Sequence, residues 1–490
     1  MVFNSLEFLI FYPAVLVMYF LAPQKWRWVL LLAASYYFYL SWNVELVFLI
    51  VFTTAVSYVS ALVIEKKRGG TAARLCLCAT LVVSLGVLFF YKYFDFLAGS
   101  VVAVANRFGA GWAPFSLGLM LPVGISFYTF QTLSYVIDVY RGDLPAERHF
   151  GYYALYVSFF PQLVAGPIER PENLLPQLRA DHKFNRDDTA AGLRLMLTGF
   201  FKKIAVADLC AAYVVPVFSE PERANGMSVI LAAVLFAFQI YGDFAGYTDI
   251  AIGCARVMGI KLMKNFDRPY TAESIKEFWA RWHISLSSWF RDYLYIPLGG
   301  NRCSKARHLC NLMTVFLVSG LWHGAAWTYV IWGALHGFYQ VVGILTKKLR
   351  AGIYDRLRID RDSRAARLWR RGVTFVLVTF AWIFFRANSI SDIGTLLARL
   401  FGAWTLGGNI STACGIMGLT LPGAAACISA ITAMCLLDKY GESDIPVHSK
   451  TRAHRLLAAV KYASLIWAIA FAWLILLDGD GASSFIYFQF

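Results

Sequence analysis

Long runs of apolar residues separated by short polar connections dominate this sequence. A helix that crosses a bilayer needs about 20 mostly apolar residues, and only a helix satisfies its own backbone hydrogen bonds in lipid as a single open segment. The pattern predicts about eleven or more transmembrane or re-entrant helices, at 7–22, 28–42, 44–64, 73–95, 117–138, 189–216, 226–246, 310–331, 373–387, 415–437 and 458–477. We therefore predict an all-α polytopic membrane protein.

Glycine and proline interrupt several of these runs. The stretches "LPVGISF" (121–127) and "SFFPQLVAGP" (158–167) are examples. Irregular backbone is tolerated at membrane depth only where protein or a water-filled cavity covers it. We therefore expect some stretches to be re-entrant and expect an internal cavity.

Composition and charge support a membrane location. Hydrophobic residues make up 59% of the 490 residues and charged residues only 15%, more apolar surface than a soluble domain could bury. The net charge of +15 is concentrated in the connections 65–74, 347–371 and 448–455, as the positive-inside rule predicts for cytoplasmic loops. This pattern favours a multi-pass membrane protein over a nucleic-acid-binding protein.

The chain reads as one membrane-embedded domain, 1–490, with its catalytic core at about 117–346. It shows no solenoid repeat and no soluble insertion of domain size. The first 22 residues lack a basic start and a clear cleavage site, so we expect a retained helix. Arginines in 347–371 recur at helical spacing, which predicts either a helix along the inner membrane surface or a solvated loop.

Polar and charged residues are unusually dense in the middle of the chain. They occur in "YGDFAGYTDIAIG" (241–253), "NFDRPY" (265–270) and "EFWARWHISLSSWFRDYLYIPLGGNR" (277–302). Charges at membrane depth are costly and persist chiefly where a pathway or a site requires them. We therefore expect the chemistry here, with 277–295 at the interface or lining a cavity.

Two histidines are the main candidates for catalysis. His323 lies in "GLWHGAAW" (320–327) between apolar runs, and His283 lies among tryptophans and is followed by Ser285 and Ser287. An imidazole can take a proton from a hydroxyl and return it to a leaving group at neutral pH. Two histidines in separate polar patches favour one shared site for acyl or proton transfer, although a buried structural histidine is the alternative reading of each.

Other catalytic patterns are missing from the sequence. We find no nucleophile elbow, phosphate-binding loop, HExxH motif or CxxC pair. Cys303, His308 and Cys310 lack a zinc-binding pattern, so we expect neither a metal nor a tightly bound cofactor. A histidine that activates an acceptor hydroxyl against a bound thioester needs no protein nucleophile, which favours direct transfer.

The motifs together resemble the membrane-bound O-acyltransferase (MBOAT) family, and within it the bacterial branch that contains alginate O-acetyltransferase membrane subunits and D-alanyl transferases. The resemblance runs nearly end to end. It is carried by "SFYTFQTLSYVIDVYRG" (126–142), "FFPQLVAGPIERP" (159–171), "GFFKKIAVAD" (199–208), "YGDFAGYTDIAIG" (241–253), "FWARWHISLSSWFRDYLYIPLGGNR" (278–302), "GLWHGAAWTYVIWGALHG" (320–337) and "FIYFQF" (485–490).

The resemblance implies a fold and roles for the histidines. It implies a multi-pass protein of the bacterial inner membrane whose helices form a ring around a central tunnel, with a donor that enters from the cytoplasm and an acceptor that enters from outside. His323 in "GLWHG" would be the catalytic base, and His283 in "WHISLS" would position or polarise the reacting groups. His336, in "WGALHG", is expected to have a mainly structural or supporting role.

Further candidates have both a functional and a structural interpretation. Lys202, Lys203 and Arg291 could attract a phosphorylated donor, although the two lysines also resemble a pair at the cytoplasmic end of a helix and Arg291 could pair with Asp292. The candidates that could line a substrate tunnel or serve only in packing are Trp282, Ser285, Ser287, Asp243, Tyr247, Asp249, Trp322, Trp327 and His336, with Gln131, Gln162 and Glu169 as weaker ones.

The leading function is O-acetyl transfer. Acetyl-CoA or an equivalent cytoplasmic thioester would supply the acetyl group as a substrate. A polysaccharide such as alginate, or a periplasmic partner resembling an SGNH hydrolase, would receive it outside the membrane. D-alanyl transfer to teichoic acid from a carrier protein is the nearest alternative. A transporter or channel with intramembrane histidines and aspartates is the alternative from another class.

Overall fold

The structure, a computed structural model, describes residues 1–42, 46–164, 166–402, 409–440, 452–477 and 485. All regular secondary structure in these residues is helical, which confirms the all-α prediction. Six of the described helices are long and apolar enough to cross a membrane: Val47–Lys66, Thr71–Arg107, Gly226–Val257, Trp327–Leu345, Arg364–Arg386 and Leu421–Tyr440. The second of these contains a π-helical segment, Phe89–Tyr93, between two α-helices. The chain is thus a polytopic helical membrane protein.

The described residues contain 22 α-helices. The first twelve are α1 (Leu6–Leu21), α2 (Gln24–Leu40), α3 (Val47–Lys66), α4 (Thr71–Leu88), α5 (Phe94–Arg107), α6 (Ile125–Arg141), α7 (Phe150–Ser158), α8 (Phe160–Leu163), α9 (Pro171–Arg179), α10 (Arg186–Phe200), α11 (Leu209–Ser219) and α12 (Gly226–Val257). The other ten are α13 (Ile275–Arg281), α14 (Ile284–Phe290), α15 (Lys305–His323), α16 (Trp327–Leu345), α17 (Lys347–Arg356), α18 (Arg364–Arg386), α19 (Ile390–Phe401), α20 (Asn409–Met417), α21 (Leu421–Tyr440) and α22 (Arg452–Leu477).

Several predicted stretches differ from the observed helices, and glycine accounts for two of the differences. The stretch 117–138 becomes helical only at Ile125, because the chain first turns through Gly124, which has a left-handed backbone (φ 75°). A side chain at Gly124 would lie 2.8 Å from the Leu163 carbonyl oxygen, so only glycine fits this start. The stretch 310–331 is two helices, since the backbone becomes extended at 324–326 between α15 and α16.

The basic connection 347–371 forms parts of two helices. Its first part forms the ten-residue helix α17, and α18 begins at Arg364. The helical spacing of its arginines is therefore confirmed for two helices rather than for one continuous helix. Of the basic connection 448–455, residues 448–451 lie outside the described residues.

The chain divides into two compact units. The first comprises Met1–Met196 and Tyr247–Met263. In it, α3 packs against α4, α6 and α7, and a buried tyrosine where these helices meet, Tyr153, donates a hydrogen bond to Ser57 Oγ at 2.7 Å. The ring of Tyr135 packs 4.4 Å away from the ring of Tyr153. Aromatic packing joined to a satisfied hydroxyl stabilises this core.

The second unit comprises Leu197–Gly246 and Lys264–Phe490 and contains both candidate histidines. Its centre is the hairpin of α15 and α16, which also packs against α18. The two hairpin helices touch backbone to backbone: a Cβ at Gly320 would lie 2.3 Å from the Tyr329 oxygen, and one at Gly333 would lie 2.3 Å from the Phe316 oxygen. Small residues at such positions let helices approach closely.

Candidate active site

His323 is the last residue of α15 and is buried at 3% exposure. The helix ends there because Gly324 adopts an extended backbone, and a side chain at Gly324 would lie 2.2 Å from the Tyr329 ring. The glycines that flank His323 therefore admit helix α16 rather than being left open for a ligand chain. This packing fixes the end of α15 and with it the position of the imidazole.

Aromatic rings surround the His323 imidazole. The centroids of Trp322 and Trp332 lie 4.9 Å from it, and that of Phe385 lies 5.6 Å from it, all with near-perpendicular planes. Edge-to-face contacts of this kind hold a ring in one orientation. His323 is thus held at the junction of α15, α16 and α18.

His283 lies between the short helices α13 and α14. Its backbone is left-handed (φ 46°, ψ 55°), a conformation that costs about 1–3 kcal/mol for a residue other than glycine and is concentrated at functional sites. Ser274 begins α13 by accepting a hydrogen bond from the Glu277 amide at 3.1 Å. The His283 side chain has no exposed surface and contacts the Phe244 ring edge to face at 4.7 Å.

Asn265 holds the imidazole of His283. Its Oδ1 atom lies 3.1 Å from His283 Nδ1, and the same oxygen accepts hydrogen bonds from the backbone amide of Ser285 at 3.2 Å and from its hydroxyl at 2.9 Å. Because Oδ1 can only accept, we assign the proton of the neutral ring to Nδ1. Nε2 then carries the lone pair and is the nitrogen able to accept a proton.

The protonation state of His283 follows from its burial. The residue lies outside the six membrane-length helices, and burial lowers its pKa to about 3. An imidazole with this pKa is neutral at physiological pH, and its Nε2 atom can accept a hydrogen bond from a hydroxyl.

The two histidines lie near one tryptophan, Trp322. The ring of Trp322 is 4.9 Å from His323 and 6.1 Å from His283. The structure therefore brings together residues that are 40 positions apart, as one shared site requires. Trp322 itself is buried, so its ring contacts both histidines inside the protein.

His336 belongs to the same aromatic cluster. It is fully buried on α16, its Nδ1 accepts a hydrogen bond from Trp279 Nε1 at 3.2 Å, and its ring lies 5.0 Å from Trp332. Trp332 in turn contacts His323. The structural or supporting role of His336 stays a prediction.

The other candidates on α13 to α16 range from buried to exposed. Trp282 is buried and packs against Trp382 at 5.2 Å, and the Ser287 hydroxyl donates to the Trp282 carbonyl at 3.3 Å. Arg291 is exposed and pairs with Asp292 at 2.7 Å, the alternative that its sequence suggests. Trp327 begins α16 and is 48% exposed.

Lys202 and Lys203 lie inside the second unit rather than at an exposed helix end. Lys203 pairs with Asp208 at 2.7 Å and with Asp243 at 2.8 Å, and all three side chains are at most 3% exposed. Lys202 pairs with Asp438 at 2.7 Å. Their ammonium groups are engaged by carboxylates of the protein, so we do not assign either lysine a role in binding the donor.

Tyr247, Asp249 and the weaker candidates belong to the first unit. Tyr247 is buried 5.7 Å from the Phe3 ring, and Asp249 is half-buried two residues further along α12. Glu169 is fully buried and accepts a hydrogen bond from Asn173 at 2.7 Å. Gln131 and Gln162 both donate to the Tyr156 carbonyl oxygen at 2.8 Å, as helix-packing residues do.

Sequence reasoning missed several residues of the site. Asn265 lies in "NFDRPY", and the density of polar residues in this motif is the only feature of the sequence that indicates a functional role for it. Nothing in the sequence indicates that Trp332, Trp382 and Phe385 surround the histidines. Among the described residues, no group of three or more histidine, cysteine or acidic side chains could hold a metal ion. The "FIYFQF" motif lies outside the described residues except for Phe485, whose ring contacts Phe244.

The helices and the buried histidines together define the class of protein as a polytopic integral membrane protein with titratable side chains buried in its second unit. Residues 146–387 match the family described as MBOAT, membrane-bound O-acyltransferase family. The chain belongs to this family, and it is therefore an acyltransferase. Its family membership removes the basis for the transporter or channel alternative.

Relatives within the family cover most of the chain. It is 41% identical to the probable alginate O-acetylase AlgI of Azotobacter vinelandii over 83% of this chain and 79% of the relative. It is 35% identical to the peptidoglycan O-acetyltransferase of Helicobacter pylori, over 78% and 74% of the two chains. It is 28% identical to the teichoic acid D-alanyltransferase of Streptococcus thermophilus, over 50% and 61%.

Proposed function

We propose that this protein transfers acetyl groups from a cytoplasmic thioester, acetyl-CoA or an equivalent, to a hydroxyl group outside the inner membrane. The acceptor is an extracytoplasmic polysaccharide such as alginate, reached directly or through a periplasmic partner that resembles an SGNH hydrolase. The proximity of His283 and His323 to the same Trp322 ring carries the proposal. The similarity to O-acetylating relatives supports the choice of acyl group.

The proposed reaction is direct. The acceptor oxygen attacks the carbonyl carbon of the thioester while His323 takes the hydroxyl proton. The carbon–sulfur bond breaks, the ester forms, and the imidazolium returns the proton to the departing thiolate. General acid–base catalysis of this kind contributes about 10²- to 10⁴-fold to a rate.

His283 positions the acceptor in this reaction rather than taking its proton. Its neutral ring presents Nε2 as an acceptor, because Asn265 engages Nδ1. Nε2 therefore accepts a hydrogen bond from a second hydroxyl of the acceptor and so orients the attacking oxygen toward the carbonyl carbon, while the proton of the attacking hydroxyl goes to His323. A donor that enters from one compartment and an acceptor that enters from the other would explain why both rings are buried, and a tunnel that connects them stays a prediction.

Acetyl is favoured over D-alanyl as the transferred group. The acetylating relatives align over about three quarters or more of both chains, whereas the D-alanyltransferase of Streptococcus thermophilus aligns over half of this chain. D-alanine also brings a charged ammonium group, which is costly to bury without an acidic partner. The rings of Trp322, Trp332 and Phe385 around His323 suit an uncharged acetyl group better.

The proposal is tested by transfer of labelled acetyl from acetyl-CoA to polymer in membranes that contain the protein. His323→Gln should lower the initial rate by at least about 100-fold, while His308→Gln, which alters a half-buried histidine beside Tyr295, should leave it within about twofold. Both variants are checked for equal amounts of folded protein by gel filtration in detergent. Full transfer by folded His323→Gln would disprove the role of this residue.

A further inference from the structure

A large cavity lies in the second unit, and none of the residues that surround His283 and His323 lines it. The start of α13, the end of α16, helix α17 and the start of α18 enclose it. Its volume is about 1210 Å³, larger than the roughly 300–1,000 Å³ typical of sites for drug-sized ligands. A cavity of this size can hold a long or branched ligand.

Most of the cavity wall is apolar. Large side chains that line it are also exposed at the protein surface, among them Phe338 at 56%, Leu357 at 62% and Trp369 at 69%. Exposed apolar surface of this extent is stable only against another protein or lipid. Because α17 and the start of α18 also carry many arginines, the segment has the composition of an element at a membrane interface.

Basic side chains lie along the same cavity. Arg370 is satisfied by Glu273, which it contacts at 2.5 Å. Lys276, Lys347 and Arg350 also line the cavity and are exposed, and none of the three forms an ion pair with a described residue. The cavity therefore combines an apolar interior with three positive charges that lack a carboxylate partner within the described ranges.

We propose that this cavity binds an anionic phospholipid from the leaflet that faces the basic segment. Acyl chains occupy the apolar space between α16, α17 and α18, and the phosphate lies near Lys276, Lys347 and Arg350. Charge complementarity selects the occupant, because a neutral lipid would leave these three charges unmatched. Basic residues beside an anionic leaflet each strengthen binding by about fivefold.

The cavity also offers a way to block binding without altering charge. Gly343 lines it, and a side chain built at this residue would meet nothing within 4 Å. Gly343→Trp should therefore fill the space without disturbing the helix. Gly372 provides the matched control, because it has the same freedom on α18 but does not line the cavity.

The test is native mass spectrometry of the full-length protein released from nanodiscs of equal phosphatidylglycerol and phosphatidylcholine content. The wild type and Gly372→Trp should retain phosphatidylglycerol in preference to phosphatidylcholine. Gly343→Trp should retain neither lipid at this site. The variant with Lys276→Gln, Lys347→Gln and Arg350→Gln should lose the preference by at least about tenfold.

A charge-matched control separates the cavity from general attraction to the membrane. Arg356→Gln, Arg364→Gln and Arg367→Gln remove three positive charges from the same segment but from outside the cavity, and they should preserve the preference. Equal retention of both lipids by the wild type, or retention unchanged by Gly343→Trp, would overturn the proposal. Displacement of the lipid by coenzyme A would assign the cavity to the thioester donor instead.

Discussion

Asn265 determines which nitrogen of His283 can accept a proton. The Oδ1 atom of this amide accepts hydrogen bonds from His283 Nδ1 and from the backbone amide and hydroxyl of Ser285. The His283 ring therefore has little freedom to rotate or to change its tautomer. The pattern is that of a positioning residue, which acts on the reaction through the histidine that it holds. Partners of this kind typically affect activity by about 10- to 100-fold.

Removing the Asn265 oxygen should therefore lower acetyl transfer. We expect Asn265→Ala to reduce kcat by about 10- to 100-fold with a smaller change in KM, because the hydroxyl is misoriented in the transition state. Asn265→Asp keeps an accepting oxygen and should retain more activity. Equal loss in the two variants, at equal folded yield, would show that the oxygen does not position His283.

The burial of His283 also predicts a pH dependence of stability. Its pKa is lowered from 6.5 to about 3 in the folded protein, so the unfolded chain binds the proton more readily between these values. The stability that depends on neutral His283 is complete above pH 6.5 and is lost as the pH falls toward 3. Between pH 6.5 and 5 this amounts to about 2 kcal/mol.

His283→Gln should reduce this acid sensitivity. Thermal unfolding in detergent at pH 6.5 and pH 5 should show a smaller fall in Tm for the variant than for the wild type. His308→Gln, a half-buried histidine outside the aromatic cluster, serves as the control and should behave like the wild type. The same fall in all three proteins would contradict the burial of a neutral His283.

At the scale of elements, the hairpin of α15 and α16 depends on the absence of side chains at Gly320 and Gly333. A Cβ at either residue would meet a carbonyl oxygen at 2.3 Å, so the helices would have to separate. Gly320→Ala should destabilise the protein by about 1–3 kcal/mol and lower acetyl transfer by moving His323. Gly372→Ala, in open space on α18 and outside the large cavity of the second unit, should lower neither the Tm nor the rate.

The ion pairs of Lys203 lie in an irregular element. Residues Phe201–Asp208 form a π-helical segment between α10 and α11, and Lys203 reaches from it to Asp208 and Asp243. Lys203→Met would leave two buried carboxylates without their cation, at a cost of about 3–5 kcal/mol. Chemical denaturation in detergent measures this loss.

Two further variants separate charge from packing at Lys203. Combining Lys203→Met with Asp208→Asn and Asp243→Asn should restore part of the stability, because no unpaired charge remains. Arg291→Met breaks an exposed ion pair and should change the free energy of unfolding by no more than about 1 kcal/mol. A Lys203→Met protein as stable as the wild type would show that the pairs contribute nothing.

At the scale of the whole molecule, the sequence predicts the helical membrane architecture well and the contacts around the site poorly. Apolar length alone identifies helices such as Val47–Lys66, because each must span lipid by itself. The break at 324–326 is not predictable from apolarity, since it is formed by small apolar residues and arises from packing on Tyr329. Asn265 meets His283 across 18 residues, a contact that no local pattern encodes.

The contacts of two adjacent lysines were also not predictable from the sequence. Lys202 and Lys203 stand at the edge of an apolar stretch and resemble residues at a membrane surface. Their carboxylate partners include Asp243 and Asp438, which are far away in sequence, so burial could not be anticipated. By contrast, the resemblance to the family indicates both histidines but not their neighbours, and the structure places both near Trp322.

The topology of the basic connections can be checked on the intact protein. Single cysteines at Gly69 and Gly352, in a background without the native cysteines, should react with an impermeant maleimide only after the cells are opened, because positive connections stay in the cytoplasm. A cysteine at Gly111, one membrane-length helix later than Gly69, should react in intact cells. Labelling of Gly69 from outside would reverse the proposed direction of transfer.

The central claim is that a donor on one side of the membrane and an acceptor on the other react at His323. The most direct measurement uses purified protein in proteoliposomes, with labelled acetyl-CoA on one side only and polysaccharide, with any required periplasmic partner, on the other. We predict labelled polymer with the wild type and at least about 100-fold less with His323→Gln. Labelled polymer at the wild-type rate with His323→Gln, or transfer only when donor and acceptor share one compartment, would contradict the account.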